Sequence, residues 1–458
     1  METYKFFDPK DMKDIANVKR IMEYHALIPG YADEFNAHPE EKLAELGFSY
    51  TPRDVSFGLN TIEDCEIRMH PMHPGTPAEK YADFMDNKLK HRSTLRNACE
   101  PANAAMKKWR ARQMARCMIQ LGPKSRALIH APFSIELSDG CSVGCEFCAL
   151  ASGGLKSVFK YTPDNAALFN DVISIAKEII GDAAGMGTLY FGSEPFDNPD
   201  YEKFKEDFTR CFGMIPQITT ARSTMNIERL RPLLREINET QKNIYRFSML
   251  SEDMTRSIFE AFTPEDLILT ELLPQYPEAP SSALIKSGRG STDDEYEDTI
   301  SCISGFVVNM ARQEIKLTTP VWSSREHPTG EAILETANFK DADEFRDIIT
   351  QMISRHMSNI IGPGDEITLE TGLNIEYEED NVVITADKGI IIKMETKGQP
   401  EMFGKTFDAL GKGYRLKRDV VSELVAGEDG KVVPTELIYF VLNKWWNLGL
   451  IKTKSGKL

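Results

Sequence analysis

The sequence has no apolar run of the roughly 20 residues that a membrane-spanning helix requires, which excludes an integral helical membrane protein. Its N-terminus, Met-Glu-Thr-Tyr-Lys, lacks the charged-then-apolar pattern of a secretory signal. Positive charge is short: 54 Lys and Arg face 70 Asp and Glu, a net charge of −16. A general nucleic-acid binder carries a basic footprint, so none is expected here. Cysteine is scarce too, at eight in 458 residues. Cys65, Cys99, Cys117, Cys211 and Cys302 are scattered without paired spacing, as expected of reduced thiols in a cytoplasmic protein, and they offer no ligand set for a second cluster. A hydrophobic fraction of 41% and a charged fraction of 27% match a water-soluble globular chain long enough for two or three domains.

The three remaining cysteines lie together in Leu137-Ser-Asp-Gly-Cys-Ser-Val-Gly-Cys-Glu-Phe-Cys148. Cys141, Cys145 and Cys148 are spaced C-x3-C-x2-C on the loop that leaves an apolar run, Ala131 to Leu137, which reads as a strand. Thiolates so close hold a metal ion or an iron–sulfur cluster, or belong to a plain loop. Structural zinc takes four ligands, yet no further C-x-x-C follows and the nearest histidine, His130, precedes the strand. Three thiolates on four irons leave one iron open for chemistry, and the donor count favours that reading.

Residues 1–125 read as mostly helical. Lys10 to Ala26 has apolar residues at helical spacing, Pro39 to Gly47 is framed by an initial Pro and a final Gly, and Thr51-Pro-Arg-Asp opens a further turn. Glu100 to Leu121 predicts a long helix closed by Gly122-Pro123, whose Lys107, Lys108, Arg110, Arg112 and Arg116 read as a solvated face with ion pairs. From 126 to 330 strand and helix patterns alternate, which implies a parallel sheet with covering helices and ligands at the strand C-termini. The strands are expected at 134–137, 187–192, 217–220, 244–250, 266–273 and 305–310, the last followed by 314–318. Residues 277–300 form a long Pro, Ser, Gly and acid-rich loop suited to a lid. Residues 331–364 predict a helical connection. Residues 365–458 predict a winged-helix-like module: a hairpin turning at Asp387-Lys388-Gly389, then helices at 401–410, 417–426 and 434–448, the last two stopped by Gly427 and Gly449.

The C-x3-C-x2-C spacing resembles that of the radical S-adenosylmethionine (SAM) enzymes. The longer strings Ile129-His-Ala-Pro-Phe-Ser-Ile-Glu-Leu-Ser-Asp-Gly-Cys, Arg246-Phe-Ser-Met-Leu-Ser251 and Cys302-Ile-Ser-Gly-Phe resemble the radical SAM peptide epimerases of proteusin-type ribosomal-peptide pathways. The resemblance covers most of the chain; Glu146 departs from it, standing where that family usually has an aromatic residue. It implies an α/β fold with a partial (β/α)6 radical SAM barrel, and a [4Fe-4S] cluster on Cys141, Cys145 and Cys148 whose open iron binds SAM. Phe147 would pack beside the cofactor. Gly192-Ser193-Glu194 would stand where that superfamily has its Gly-Gly-Glu element, which holds the SAM amino group, with Ser193 replacing the second Gly. Arg246 and Ser248, two apart on one strand face, would reach the SAM carboxylate and ribose, and Thr219 and Thr220 would line the same pocket. The C-terminal module resembles leader-peptide recognition domains, which add an extended peptide to a sheet edge.

The resemblance further implies abstraction of a Cα hydrogen from an L-residue of a precursor peptide, then return of hydrogen to the opposite face by a thiol. Cys302 is the candidate donor, with an external one-electron reductant restoring it. A buried inert cysteine is the ordinary alternative. A cross-linking maturase would share the cluster but need no lone thiol, and a non-enzymatic peptide-binding regulator would need no cysteine triad.

Overall fold

The computed structural model describes residues 5–454 except 59–60, 64–65, 69, 283, 292–294, 379, 397–398 and 427–432. Cys65, the helix stop expected at Gly427 and four residues of the acid-rich loop therefore lie outside the described residues. The chain is a mixed α/β protein with several sheets.

Three long helices open the chain, α1 (Met12–Leu27), α2 (Pro77–Ala98) and α3 (Ala104–Leu121), with two seven-residue helices, Tyr31–Ala37 and Pro39–Glu45, between the first two. The side chain of Asn103 caps α3 by accepting from the Ala105 and Met106 amides, both at 3.1 Å. On α3, Arg110, Arg112 and Arg116 are buried, not solvated as the sequence suggested. They face carbonyls and rings of neighbouring segments, a tertiary preference that charge patterning along one helix does not reveal.

The strand β1 (Ala131–Glu136) is buried along its whole length. The covering helices α4 (Pro163–Ile180) and α5 (Tyr201–Phe212) follow, then the short strand β2 (Thr219–Thr220), α6 (Ile227–Thr240), β3 (Tyr245–Met249), α7 (Glu252–Ala261) and β4 (Thr270–Pro274). Strands β2, β3 and β4 pair in parallel in that order. The expected strand 187–192 contributes only a parallel bridge, Thr188 to Gln217, and the bond from the Ile135 amide to the Thr188 carbonyl at 2.9 Å. Those two contacts join β1 to β2. The expected strand 266–273 starts only at Thr270, because Thr263 and Asp266 exchange side-chain bonds to each other's amides at 3.0 and 3.2 Å and hold a turn.

The strand β5 (Ile303–Asn309) pairs in parallel with β1, on the side away from β2, rather than extending the sheet beyond β4. Strands β6 (Glu314–Pro320) and β7 (Glu331–Asn338) continue antiparallel from it. No closed barrel forms among the described residues. Beside β4, α1 covers the sheet, and the buried Lys19 ammonium donates to the Leu267 and Thr270 carbonyls at 3.0 and 2.7 Å.

The helical connection expected from 331 opens as a strand: β7 occupies its first eight residues, and α8 (Ala342–His356) starts only where Asp341 caps the Glu344 amide at 2.9 Å. Pairing with β6 overrides the helix-forming residues Glu, Ala and Leu of β7.

Beyond α8 a second apolar core surrounds Trp445, Phe403, Ile367 and Leu442. Its helices span Pro400–Gly411, Lys417–Ala426 and Thr435–Asn447. The expected hairpin is one half of a meander in which Leu373–Glu378, Asn381–Ala386 and Ile391–Glu395 pair antiparallel. A further small sheet pairs Glu366–Leu369 with Arg415–Leu416 and Ile451–Thr453. Helix α3 belongs to both halves: Ile119 sits in the second core, and the Arg112 guanidinium lies 4.3 Å over the Trp446 ring. Gly449 approaches so closely that a Cβ there would fall 2.6 Å from the Arg116 nitrogen.

Candidate functional site

The cysteine loop leaves the C-terminal end of β1. Its entry is fixed by backbone: Gly140 has φ +88, and a Cβ there would lie 2.2 Å from the Gly154 carbonyl oxygen. The Cys141 amide donates to the Gly153 carbonyl at 2.9 Å. Gly140→Ala is expected to lower unfolding stability by about 2 kcal/mol through strain and overlap at this turn, read as a shifted denaturant midpoint; an unchanged midpoint would show the turn can relax.

Side chains absent from the sequence reading hold the loop. The Ser142 amide donates to Asp197 at 2.8 Å, the Ser142 hydroxyl bonds the same carboxylate, and Arg222 donates to both residues at 2.7 and 3.0 Å. Arg289, from the acid-rich loop, donates through Nε to the Cys145 carbonyl at 2.9 Å and through Nη1 to the Ser152 carbonyl at 2.5 Å. Its own amide reaches the Cys148 carbonyl at 2.9 Å. The segment read as a lid thus lies against the cysteine loop.

Cys141, Cys145, Cys148 and Phe147 are all half-buried, and the three thiols are free. Burial first, then the neighbouring sulfurs of Cys141 and Cys148, push the Cys145 thiol up to about 11. Three sulfurs that oppose each other's ionisation need positive charge among them before they can all be thiolates. Among the described residues, however, no three His, Cys, Asp or Glu side chains converge on a point that one metal ion could occupy. The donors therefore suit thiolate ligation by kind and exposure, without forming a ready single-ion site.

Behind the loop, the Gly192 amide donates to Glu136 at 2.7 Å, and Asn309 donates to the same carboxylate at 3.2 Å. Ser193 is half-buried beside it. Glu194 is buried and accepts from the Thr220 hydroxyl at 2.6 Å, the Ala221 amide at 2.9 Å and the Phe196 amide at 3.2 Å. Burial raises its pKa and these donors partly offset the rise. Its carboxylate fastens the end of β2 to the turn after Gly192.

Along β3 the burial alternates, placing Tyr245, Phe247 and Met249 in the core and Arg246 and Ser248 together on the other face. Register aligns Thr219, Arg246 and Glu271 in one row across β2, β3 and β4. Tyr190 extends the row by bonding Thr219 at 2.5 Å. At its other end Glu271 accepts from Arg246 Nε at 2.8 Å and pairs with Lys88 of α2 at 2.9 Å. Burial disfavours the Glu271 charge, but Lys88 and Arg246 outweigh it and hold the carboxyl far below its ordinary range. The Arg246 side chain keeps 43% of its surface accessible; burial opposes its charge, but Glu271 outweighs this and raises its pKa.

Cys302 immediately precedes β5, where its carbonyl accepts from the Ala131 amide at 2.9 Å. It stands at the N-terminal end of the sheet, whereas the cysteine loop leaves the C-terminal end; the length of β1 separates them, roughly 17 Å. Its thiol lies within the electrostatic reach of Arg246 and Tyr190. Tyr190, Glu271, Lys88, Arg289 and Asp197 had no local sequence signal; each gains its place from a long-range partner.

No family model matches the chain. The Sinorhizobium fredii (strain NBRC 101917 / NGR234) protein y4wI, described as uncharacterized, is 34% identical over 390 residues, 81% of this chain and 75% of that protein. A solved structure of BtrN in complex with AdoMet and 2-DOIA is similar over 40% of this chain and 71% of its own, at 15% identity and a TM-score of 0.29.

Proposed function

The chain belongs to the family of the Sinorhizobium fredii protein y4wI, and we propose that it is a radical SAM epimerase that converts L- to D-residues in a ribosomally made precursor peptide. The observation that carries this reading is the placement of two kinds of sulfur at opposite ends of one sheet: a three-cysteine loop beyond β1, and the thiol of Cys302 before β5. Inversion at a carbon needs that opposition, because hydrogen leaves one face and arrives at the other.

Cys141, Cys145 and Cys148 would hold a [4Fe-4S] cluster in the manner of a partial (β/α)6 radical SAM barrel. Cluster and SAM bound there would supply the one-electron chemistry for taking a hydrogen atom from the peptide Cα. Gly192, Ser193, Glu194, Thr219, Thr220, Arg246, Ser248 and Phe147 are the proposed SAM contacts. Glu194 acts in that set by fixing the backbone at Phe196 and Ala221, while Glu136 fixes Gly192. Cys302 acts after abstraction. Burial raises its thiol pKa, with Arg246 pulling the other way, so the sulfur keeps the hydrogen it must donate. Its S–H bond breaks, a C–H bond forms on the peptide, and the sulfur is left one electron short. Reducing equivalents from an external donor, with a proton, restore it. The module 365–458 is the proposed docking site for the leader.

The test is co-expression with the precursor in heavy water, because each inversion adds one deuterium. The Cys302→Ala variant is expected to form 5′-deoxyadenosine at an undiminished rate while deuterated D-residues fall at least 100-fold. Undiminished deuteration in that variant would remove Cys302 from the mechanism.

A further inference from the structure

Three cysteines outside the metal-binding motif meet at the N-terminal end of the sheet. Cys302 packs against two small apolar clusters at once, one holding Cys99, Ala131, Ile303 and Val307, the other Cys117, Leu121 and Leu128. Cys99 and Cys117 are fully buried, Cys302 is half-buried, and all three are free thiols. Cys117 is already engaged, since its thiol donates to the Pro320 carbonyl at 3.3 Å.

Cys99 is placed differently. It closes α2 and lies beside the Arg110 guanidinium, which is pinned by the carbonyls of His130, Arg96 and Ile129 at 2.7, 2.7 and 2.8 Å. Burial pushes the Cys99 thiol up to about 12; Arg110 pulls it down, and Cys302 adds to the rise. So Cys99 shares an apolar cluster and an electrostatic field with Cys302, and has a fixed cation to receive negative charge as its proton leaves.

We propose that Cys99 is the redox partner of Cys302, capturing the sulfur radical left after hydrogen donation as a Cys99–Cys302 disulfide; this rests on the role of Cys302 proposed above. The Cys99 S–H bond breaks, its proton passes to solvent and an S–S bond forms. The one surplus electron passes to the oxidised form of the external one-electron carrier, which gave up one electron for SAM cleavage. An external dithiol then attacks the half-buried Cys302 sulfur, and two electrons and two protons restore both thiols. The buried Cys99 sulfur needs no access from outside.

The first test needs no turnover. Full-length protein is treated with diamide, alkylated and mapped by mass spectrometry. The expected result is a Cys99–Cys302 linked peptide pair in wild type and in Cys117→Ser, with Cys302 alkylatable in Cys99→Ser. A Cys302–Cys117 link, or a Cys302 that stays alkylatable in wild type, overturns the proposal. The second test follows turnover in heavy water with the one-electron reductant and a dithiol. Cys99→Ser should complete one deuterated inversion per enzyme at the wild-type rate and then slow at least tenfold, with 5′-deoxyadenosine formed in that first round showing an intact site. Unchanged repeated turnover also overturns it. Deuteration that survives Cys302→Ala instead overturns the hydrogen-donor reading, whatever the cross-link shows.

Discussion

Cys145→Ala is expected to yield a folded protein without visible iron–sulfur absorbance, without stoichiometric iron after anaerobic reconstitution, and without detectable 5′-deoxyadenosine. Cys145 is the middle sulfur of the loop, and its ionisation is opposed by both others. Under the proposed ligation its removal leaves two thiolates for a cluster that needs three. The fold should tolerate the change. The loop is held by the Cys141 amide on Gly153, by Asp197 on Ser142 and by Arg289 on three backbone carbonyls, and none of these bonds uses the Cys145 sulfur. Circular dichroism and the denaturant midpoint should therefore match wild type within about 1 kcal/mol. Retained iron with continued SAM cleavage would remove the C-x3-C-x2-C loop from cluster ligation.

Glu271→Ala is expected to produce the largest loss of stability, about 3 kcal/mol by equilibrium unfolding, because it takes the carboxylate away from the nearly buried Lys88 ammonium and from the more exposed Arg246. Lys88 is 12% accessible in its side chain and has Glu271 at 2.9 Å; Arg246 donates to the same carboxylate. The Glu271 pKa is depressed in the fold, so its contribution is complete above the ordinary carboxylate value and fades as pH falls through that value towards the folded one. Wild type should thus lose stability on acidification over a range that Glu271→Gln does not share. Equal stability of wild type and Glu271→Ala at neutral pH would show that Lys88 and Arg246 find other partners.

The place of the cysteine loop is legible because a short apolar run followed by Asp-Gly reads as a buried strand entering a turn, and the close approach of Gly154 at Gly140 shows why that turn admits no side chain. Amphipathic helices such as 201–212 and 417–426 were equally legible. The strand β7 was not: Glu-Ala-Ile-Leu-Glu-Thr-Ala-Asn favours a helix locally, and only pairing with β6 makes it extended. The place of β5 beside β1 was hidden as well, since a strand's neighbours depend on where the chain crosses rather than on its own residues. The row Tyr190, Thr219, Arg246, Glu271 and Lys88 draws on separate strands, a loop and a helix, so alternation could reveal Arg246 and Ser248 as a pair but not their partners.

Helix α3 carries weight for both cores, with Arg110 gripping carbonyls beside β1, Arg112 stacked on Trp446 and Gly449 pressed against Arg116. A rod shared in this way ties the C-terminal module to the sheet. If a leader docks on that module, its anchorage stays at one fixed span from the cysteine loop. The spacer between leader and reacting residue then acts as a ruler. Lengthening the spacer by a few residues should shift the inverted positions along the peptide by a matching number.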